Sequence, residues 1–78
     1  MKTVTIYSTP TCPYCHAAKE FFKEHNVPFT DHDVASDAVA RAEMVKKSGQ
    51  MGVPVILVDD DMEIGFDEDR LRDLLSIH

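Results

Sequence analysis

Apolar and polar residues alternate from Thr3 to Ser8, with Val4 and Ile6 on one face and Thr3, Thr5 and Tyr7 on the other. That period predicts a strand. After a loop, Ser8-Thr9-Pro10-Thr11, the period lengthens. From Pro13 onward, Tyr14, Ala17, Ala18, Phe21, Phe22 and His25 fall at helical spacing and predict an amphipathic helix. Asn26 ends it and Pro28 prevents continuation. Phe29 to Val34 predicts a second, weaker strand. Ser36 is the expected cap of a second helix, with Val39, Ala42 and Val45 or Lys46 turned inward and Gly49 as its stop. The continuous apolar run Pro54-Val55-Ile56-Leu57-Val58 predicts a strand covered on both faces. Asp59-Asp60-Asp61 predicts a turn, and Met62 to Ile64 a short returning strand. Asp67 then caps a last helix whose inner face is Leu71, Leu74 and Leu75.

The order is therefore β-α-β-α-β-β-α, an α/β chain. Its first β-α-β unit predicts a right-handed parallel crossover, and the Asp-rich turn an antiparallel hairpin. Together they give a four-stranded mixed sheet flanked by helices. At 78 residues, one domain spanning residues 1–78 is expected. With 44% apolar and 28% charged residues, the composition is that of an ordinary folded chain. A formal charge of −6 argues against a nucleic-acid partner. No apolar run approaches the ~18 residues of a membrane span. The opening residues are too short and polar for a signal peptide, which points to a cytoplasmic chain; a monomer is expected.

Two cysteines, Cys12 and Cys15, are the whole cysteine complement. They stand two residues apart at the predicted start of the first helix. A loop that small constrains the unfolded chain little, so the pair reads as chemistry before it reads as a staple. A helix N-terminus carries unpaired N–H groups and the positive end of the dipole. Cys12 at that end has its thiolate favoured. Pro13 suits the first helical position. Cys15, one turn inward, is expected to be more buried and harder to ionise. The roles follow: Cys12 attacks a disulfide, and Cys15 then attacks Cys12 to release the reduced substrate.

Three other readings of the pair are weaker. Cys12-x-x-Cys15-His16 matches the haem-attachment pattern in letter, but without an export signal; His16 is more simply a solvent-facing residue. A structural zinc site needs two further ligands from His16, His25, His32 or a carboxylate, and the second metal-binding pair is missing, so no metal is expected. Inert core cysteines would not flank Pro-Tyr at a helix start.

Downstream, Gly52-Val53-Pro54 precedes the buried strand, where proline is tolerated at the first residue. A trans bond is the ordinary expectation there. A cis bond would leave the Val53 backbone free to pair with an extended thiol substrate. Gly65-Phe66-Asp67 is a tight turn and helix cap, and also a second helix N-terminus offering N–H groups and a carboxylate to a small zwitterionic ligand. The three aspartates of the turn lack calcium-loop spacing.

These pieces together resemble a family. The strand Val4-Thr5-Ile6-Tyr7, then Thr11-Cys12-Pro13-Tyr14-Cys15, Gly52-Val53-Pro54 and Gly65-Phe66-Asp67, are similar to the glutaredoxins of the thioredoxin superfamily, over nearly the whole chain. The resemblance implies the thioredoxin-like fold and a cis Pro54 packed beside the cysteines. It also implies a glutathione groove lined by Tyr14, Val53, Pro54, Gly65, Phe66 and Asp67. In it Val53 would pair with the cysteinyl backbone of glutathione, and Asp67 and its helix end would take the γ-glutamyl group. The implied reaction is reduction of protein disulfides or glutathione mixed disulfides, with glutathione as co-substrate and no permanently bound cofactor. The implied potential lies near the family range of about −200 to −230 mV.

The chain departs from the family pattern twice. The lysine common before the first cysteine is absent from Ser8-Thr9-Pro10-Thr11, and the threonine common before Val-Pro is Gly52. Lys46, Lys47 or Gln50 would be the group to take the place of the missing lysine. A second reading follows: a redoxin of the kind that feeds ribonucleotide reductase, reduced by thioredoxin reductase rather than glutathione. A third, an iron–sulfur cluster carrier, suits a single active cysteine better than the Cys12/Cys15 pair.

Overall fold

The alternation at the N-terminal end becomes β1 (Val4–Ser8) in a computed structural model that describes residues 2–77. The remaining elements are α1 (Pro13–Glu24), β2 (Thr30–Asp33), α2 (Ala38–Ser48), β3 (Val55–Val58), β4 (Asp61–Ile64) and α3 (Glu68–Leu75). The sheet order is β2-β1-β3-β4. β1 pairs parallel with β2 and antiparallel with β3, and β3 pairs antiparallel with β4. This is the expected thioredoxin-like α/β arrangement.

Side-chain alternation on the two central strands sorts the core into two layers. Val4 and Ile6 of β1 and Ile56 and Val58 of β3 face Ala18, Phe21 and Phe22 of α1 and Leu71 and Leu74 of α3. Tyr7 and Val55 face the other way, against Val34 and against Ala40 and Met44 of α2. Both central strands are thus covered on both sides, including β1, whose Thr5-Tyr7 face reads as polar in sequence. The Tyr7 hydroxyl reaches the Glu43 carboxylate at 3.5 Å, which is how a buried phenol is accommodated there.

The second helix differs from the sequence expectation. Its cap is Asp37, whose carboxylate accepts from the Ala40 N–H at 3.1 Å. Ser36 instead belongs to a turn closed by Ser36 and Asp37 N–H bonds to the Asp33 carbonyl. The buried face of α2 is Ala40 and Met44, while Val39 is 72% exposed and Ala42 is also outside. Successive helical residues are about 100° apart, so the short apolar side chains of this segment left its inward face weakly specified. Gly49 closes the helix in the left-handed region, φ 72°, as the C-terminal position requires. Asp67 caps α3 as expected, accepting from the Arg70 N–H. No described helix is long and apolar enough to cross a membrane.

Candidate active site

The strand–loop–helix passage from β1 to α1 delivers both cysteines to one end of the central strands. Cys12 is the N-cap of α1, with extended backbone angles (φ −90°, ψ 112°). Its sulfur accepts the Cys15 N–H at 3.2 Å, occupying one of the donors that a helix start leaves unpaired. The loop behind it is held by the Cys12 N–H on the Thr9 carbonyl and by His16 Nε2, which donates to the Pro10 carbonyl at 2.7 Å. Both cysteines are free thiols, Cys12 half-buried and Cys15 with no exposed surface. Burial, and then the hydrogen bond with Cys12, push the Cys15 thiol from 9.0 up to about 12. A backbone hydrogen bond at Thr9 and the charge of Lys19 act in the opposite direction.

The Val53–Pro54 peptide bond is cis, and Cys12 Sγ lies 3.9 Å from the Val53 carbonyl oxygen. The residues leading into β3 are therefore against Cys12. Pro54 in turn accepts the Gly65 N–H at 2.8 Å, which draws the end of β4 to the same place. Gly65 has φ 88°, with open space where a Cβ would stand, so its backbone angle is what calls for glycine. Phe66 turns toward the core and meets Phe21 edge-on at 6.2 Å between ring centroids. Asp67 is exposed and half engaged in capping. Tyr14 is 66% exposed, outside the helical stripe to which its spacing assigned it. It stands on the first turn of α1 beside Cys12 and Cys15.

That continuity of strand, cis peptide and cysteine helix agrees with sequence comparison. The family model Glutaredoxin matches residues 4–63. The chain belongs to the glutaredoxin family. This glutaredoxin is 44% identical over 73 residues to a glutaredoxin-like 8.6 kDa protein in the rubredoxin operon of Clostridium pasteurianum, covering 94% of this chain and 97% of that one. Its fold superposes on a mutant of the thioredoxin-like protein BC3987 with a TM-score of 0.92, 35% identity and full coverage of both chains. It also superposes on the glutaredoxin-like NrdH-redoxin from Escherichia coli, whose activity profile is described as thioredoxin-like. There the TM-score is 0.79 at 28% identity, covering 97% of this chain and 95% of that one.

Of the groups that would replace the family's missing lysine, Gln50 is bonded elsewhere in this glutaredoxin and Lys47 lies away from the cysteines. The Gln50 side chain folds back on its own loop, donating to the Gly52 carbonyl at 3.0 Å and to Ser48 Oγ, and accepting the Gly52 N–H. Lys47 lines a cleft with Leu57, Asp59, Asp60 and Met62, at the opposite end of β3 from Pro54. The lysine that does bear on the cysteine pair is Lys19, which the sequence reading missed. Its signal was the four-residue spacing from Cys15, which places two helix residues on one face. Lys19 Nζ lies 3.1 Å from Asp31 Oδ2 and 3.4 Å from Ser8 Oγ, and Ser8 Oγ donates to Asp31 Oδ1 at 2.6 Å. Among the described residues, no three His, Cys, Asp or Glu side chains gather as a metal site. The apolar cleft of about 340 Å³ bounded by His25, Val27, Leu75 and Ile77 lies at the far end of α1 from Cys12.

Proposed function

We propose that this glutaredoxin is a dithiol–disulfide oxidoreductase, a single domain over residues 1–78, in which Cys12 is the nucleophile and Cys15 the resolving thiol. The observation that carries the reading is the asymmetry of the pair. Cys12 is reachable and its sulfur faces the Cys15 N–H, so negative charge gathering there meets a donor. Cys15 is sealed and held protonated up to about 12. The more accessible sulfur, that of Cys12, therefore meets the substrate disulfide first. A mixed disulfide forms on Cys12 and the first substrate thiolate leaves. Cys15 then attacks Cys12, closing the internal disulfide and releasing the second thiol. Glutathione or thioredoxin reductase returns the pair to the dithiol in the cytoplasm.

The substrate groove in this reading runs past Tyr14, Val53, Pro54, Gly65, Phe66 and Asp67. The contact of Cys12 with the Val53 carbonyl supports it, because a backbone segment bonded to Val53 would carry its own sulfur to Cys12. Glutathione, lying extended, would place its γ-glutamyl end toward the N-terminus of α3. A second reading, a redoxin reduced by thioredoxin reductase, is favoured by the absence of lysine from the loop at residues 8–11, by the Gln50 side chain being bonded within its own loop and by Lys47 lying at the other end of β3. The two are separated by paired turnover on one mixed-disulfide substrate, with glutathione and its reductase in one arm and NADPH with thioredoxin reductase in the other. Turnover in the first arm is expected. Turnover in the second arm alone replaces the first reading with the second.

A further inference from the structure

A buried hydroxyl needs partners, and Ser8, at 2% exposure, has two. It donates to one oxygen of Asp31, and the ammonium of Lys19 bridges the hydroxyl and the other Asp31 oxygen. The pieces come from three elements. Ser8 ends β1, immediately before the cysteine loop. Asp31 is on the edge strand β2, beside Ile6 in the parallel register. Lys19 is on α1, one turn beyond Cys15. The plain account is a tie joining β1, β2 and α1. It leaves one fact over: the Lys19 side chain is only 18% exposed although its carboxylate partner, at 37%, is open to water. An ion pair of this kind forms as well further out, where the lysine keeps its hydration. The inward position instead keeps the ammonium on the helix face it shares with Cys15, where i and i+4 side chains are neighbours, and there its charge eases Cys15 ionisation against burial.

We propose that Lys19 is a positioning residue for the resolving step, its ammonium held by Asp31 and Ser8 on the face of α1 that also carries Cys15, four residues away. This rests on the assignment of Cys15 as the resolving thiol. When Cys15 attacks, a bond forms between the Cys15 and Cys12 sulfurs as the bond from Cys12 to the substrate sulfur breaks. The electron pair leaves on the substrate sulfur, and the proton given up by Cys15 passes through water to it. Before the attack the Cys15 sulfur must carry negative charge in a sealed site, and Lys19 is the cation placed to meet it. Asp31 tempers that cation, because a carboxylate on the ammonium reduces the field at the thiol. The positive charge that glutaredoxins commonly place before the first cysteine stands here behind the second.

The two residues thus act on Cys15 with opposite sign, which a purely structural tie does not do. Equimolar dithionitrobenzoate reads both steps, since the reduced protein releases one coloured thiolate as Cys12 attacks and a second as Cys15 resolves. In Lys19→Met the second rate, taken relative to the first, is expected to fall severalfold, because the Lys19 charge is one of the weaker influences on the Cys15 thiol. In Asp31→Asn the same ratio is expected to rise. An unchanged ratio in Lys19→Met, or a ratio lowered by both substitutions, overturns the proposal. If Lys19→Met does not fold, the sign in Asp31→Asn decides alone. Cys15→Ser keeps the two assignments apart: a second release persisting in that variant refutes the resolving role itself, whereas a normal ratio in Lys19→Met with no second release in Cys15→Ser refutes only the part given to Lys19.

Discussion

Asp67 is given two tasks, and one residue position separates them. Its carboxylate accepts the Arg70 N–H at 3.2 Å as the N-cap of α3, and in the groove it would also receive the amino end of glutathione. Glu68–Leu75 is only eight residues long, too short to be stable by itself, and it is held to the sheet by Leu71 and Leu74. Its cap is correspondingly important. Asp67→Ala removes the acceptor and leaves the Arg70 N–H to water, at a cost of about 1 kcal/mol. Glu68 and Asp69 remain in the first turn and keep their favourable interaction with the helix dipole, so the loss stays near that value. For a domain of this size about 1 kcal/mol lowers Tm by roughly 4–8 °C. Asp67→Ser keeps a capping oxygen but no charge, and is expected to stay within a few tenths of a kcal/mol of the parent. Thermal unfolding of the reduced protein followed by circular dichroism gives the first comparison, and the KM for glutathione gives the second. The serine variant is expected to hold its Tm and raise KM several-fold. If the alanine variant unfolds at the parent temperature, the capping account fails. If the serine variant keeps the parent KM, Asp67 has no part in binding glutathione.

Other outcomes follow from the same geometry. Cys12→Ser is expected to abolish reduction of protein disulfides, while Cys15→Ser accumulates mixed disulfides visible by mass spectrometry; reductase activity surviving in Cys12→Ser reverses the assignment. Folding holds the Cys15 thiol protonated up to about 12 against 9.0 for an ordinary cysteine, so its contribution to the reduced fold is complete below 9.0 and is lost as pH rises toward 12, by about 1 kcal/mol per pH unit within that window. Urea unfolding of the reduced protein on either side of 9.0 reads that slope, and a flat stability would contradict it. Phe22, fully buried between α1 and the sheet, is expected to cost about 3–5 kcal/mol as Phe22→Ala, measured by the urea midpoint.

The elements were legible because their residues agree at every level. Val4 and Ile6 alternate and are both buried; Ala18, Phe21 and Phe22 recur at helical spacing and form one face; residues 54–58 are apolar throughout and are covered on both sides. The inner face of α2 was not legible, since its turn from Asp33 to Asp37 competes with Ser36 for the helix start and its apolar residues lie around the whole circumference. Tyr14 misled because spacing says which residues share a stripe, not where the stripe stops being covered. The cysteines, Val53-Pro54 and Gly65 were readable as motifs, and the fold brings them to one end of the sheet. The Ser8–Asp31–Lys19 cluster was not, because no two of its members are near in sequence. Only the parallel register of β1 with β2, together with the seating of α1, places them side by side.

The bond from the Cys15 N–H to the Cys12 sulfur makes that sulfur a structural part of the helix it stands on. A sulfur tied into a disulfide is a poorer acceptor than a thiol or thiolate, so oxidation takes from α1 part of its cap. Whatever free energy the cap gives the dithiol over the disulfide appears as a higher reduction potential. For a two-electron couple 1.4 kcal/mol corresponds to about 30 mV, so a cap worth about 1 kcal/mol moves the pair by roughly 20 mV toward a better oxidant. Helix stability and electron affinity are, at this residue, one quantity measured in two units.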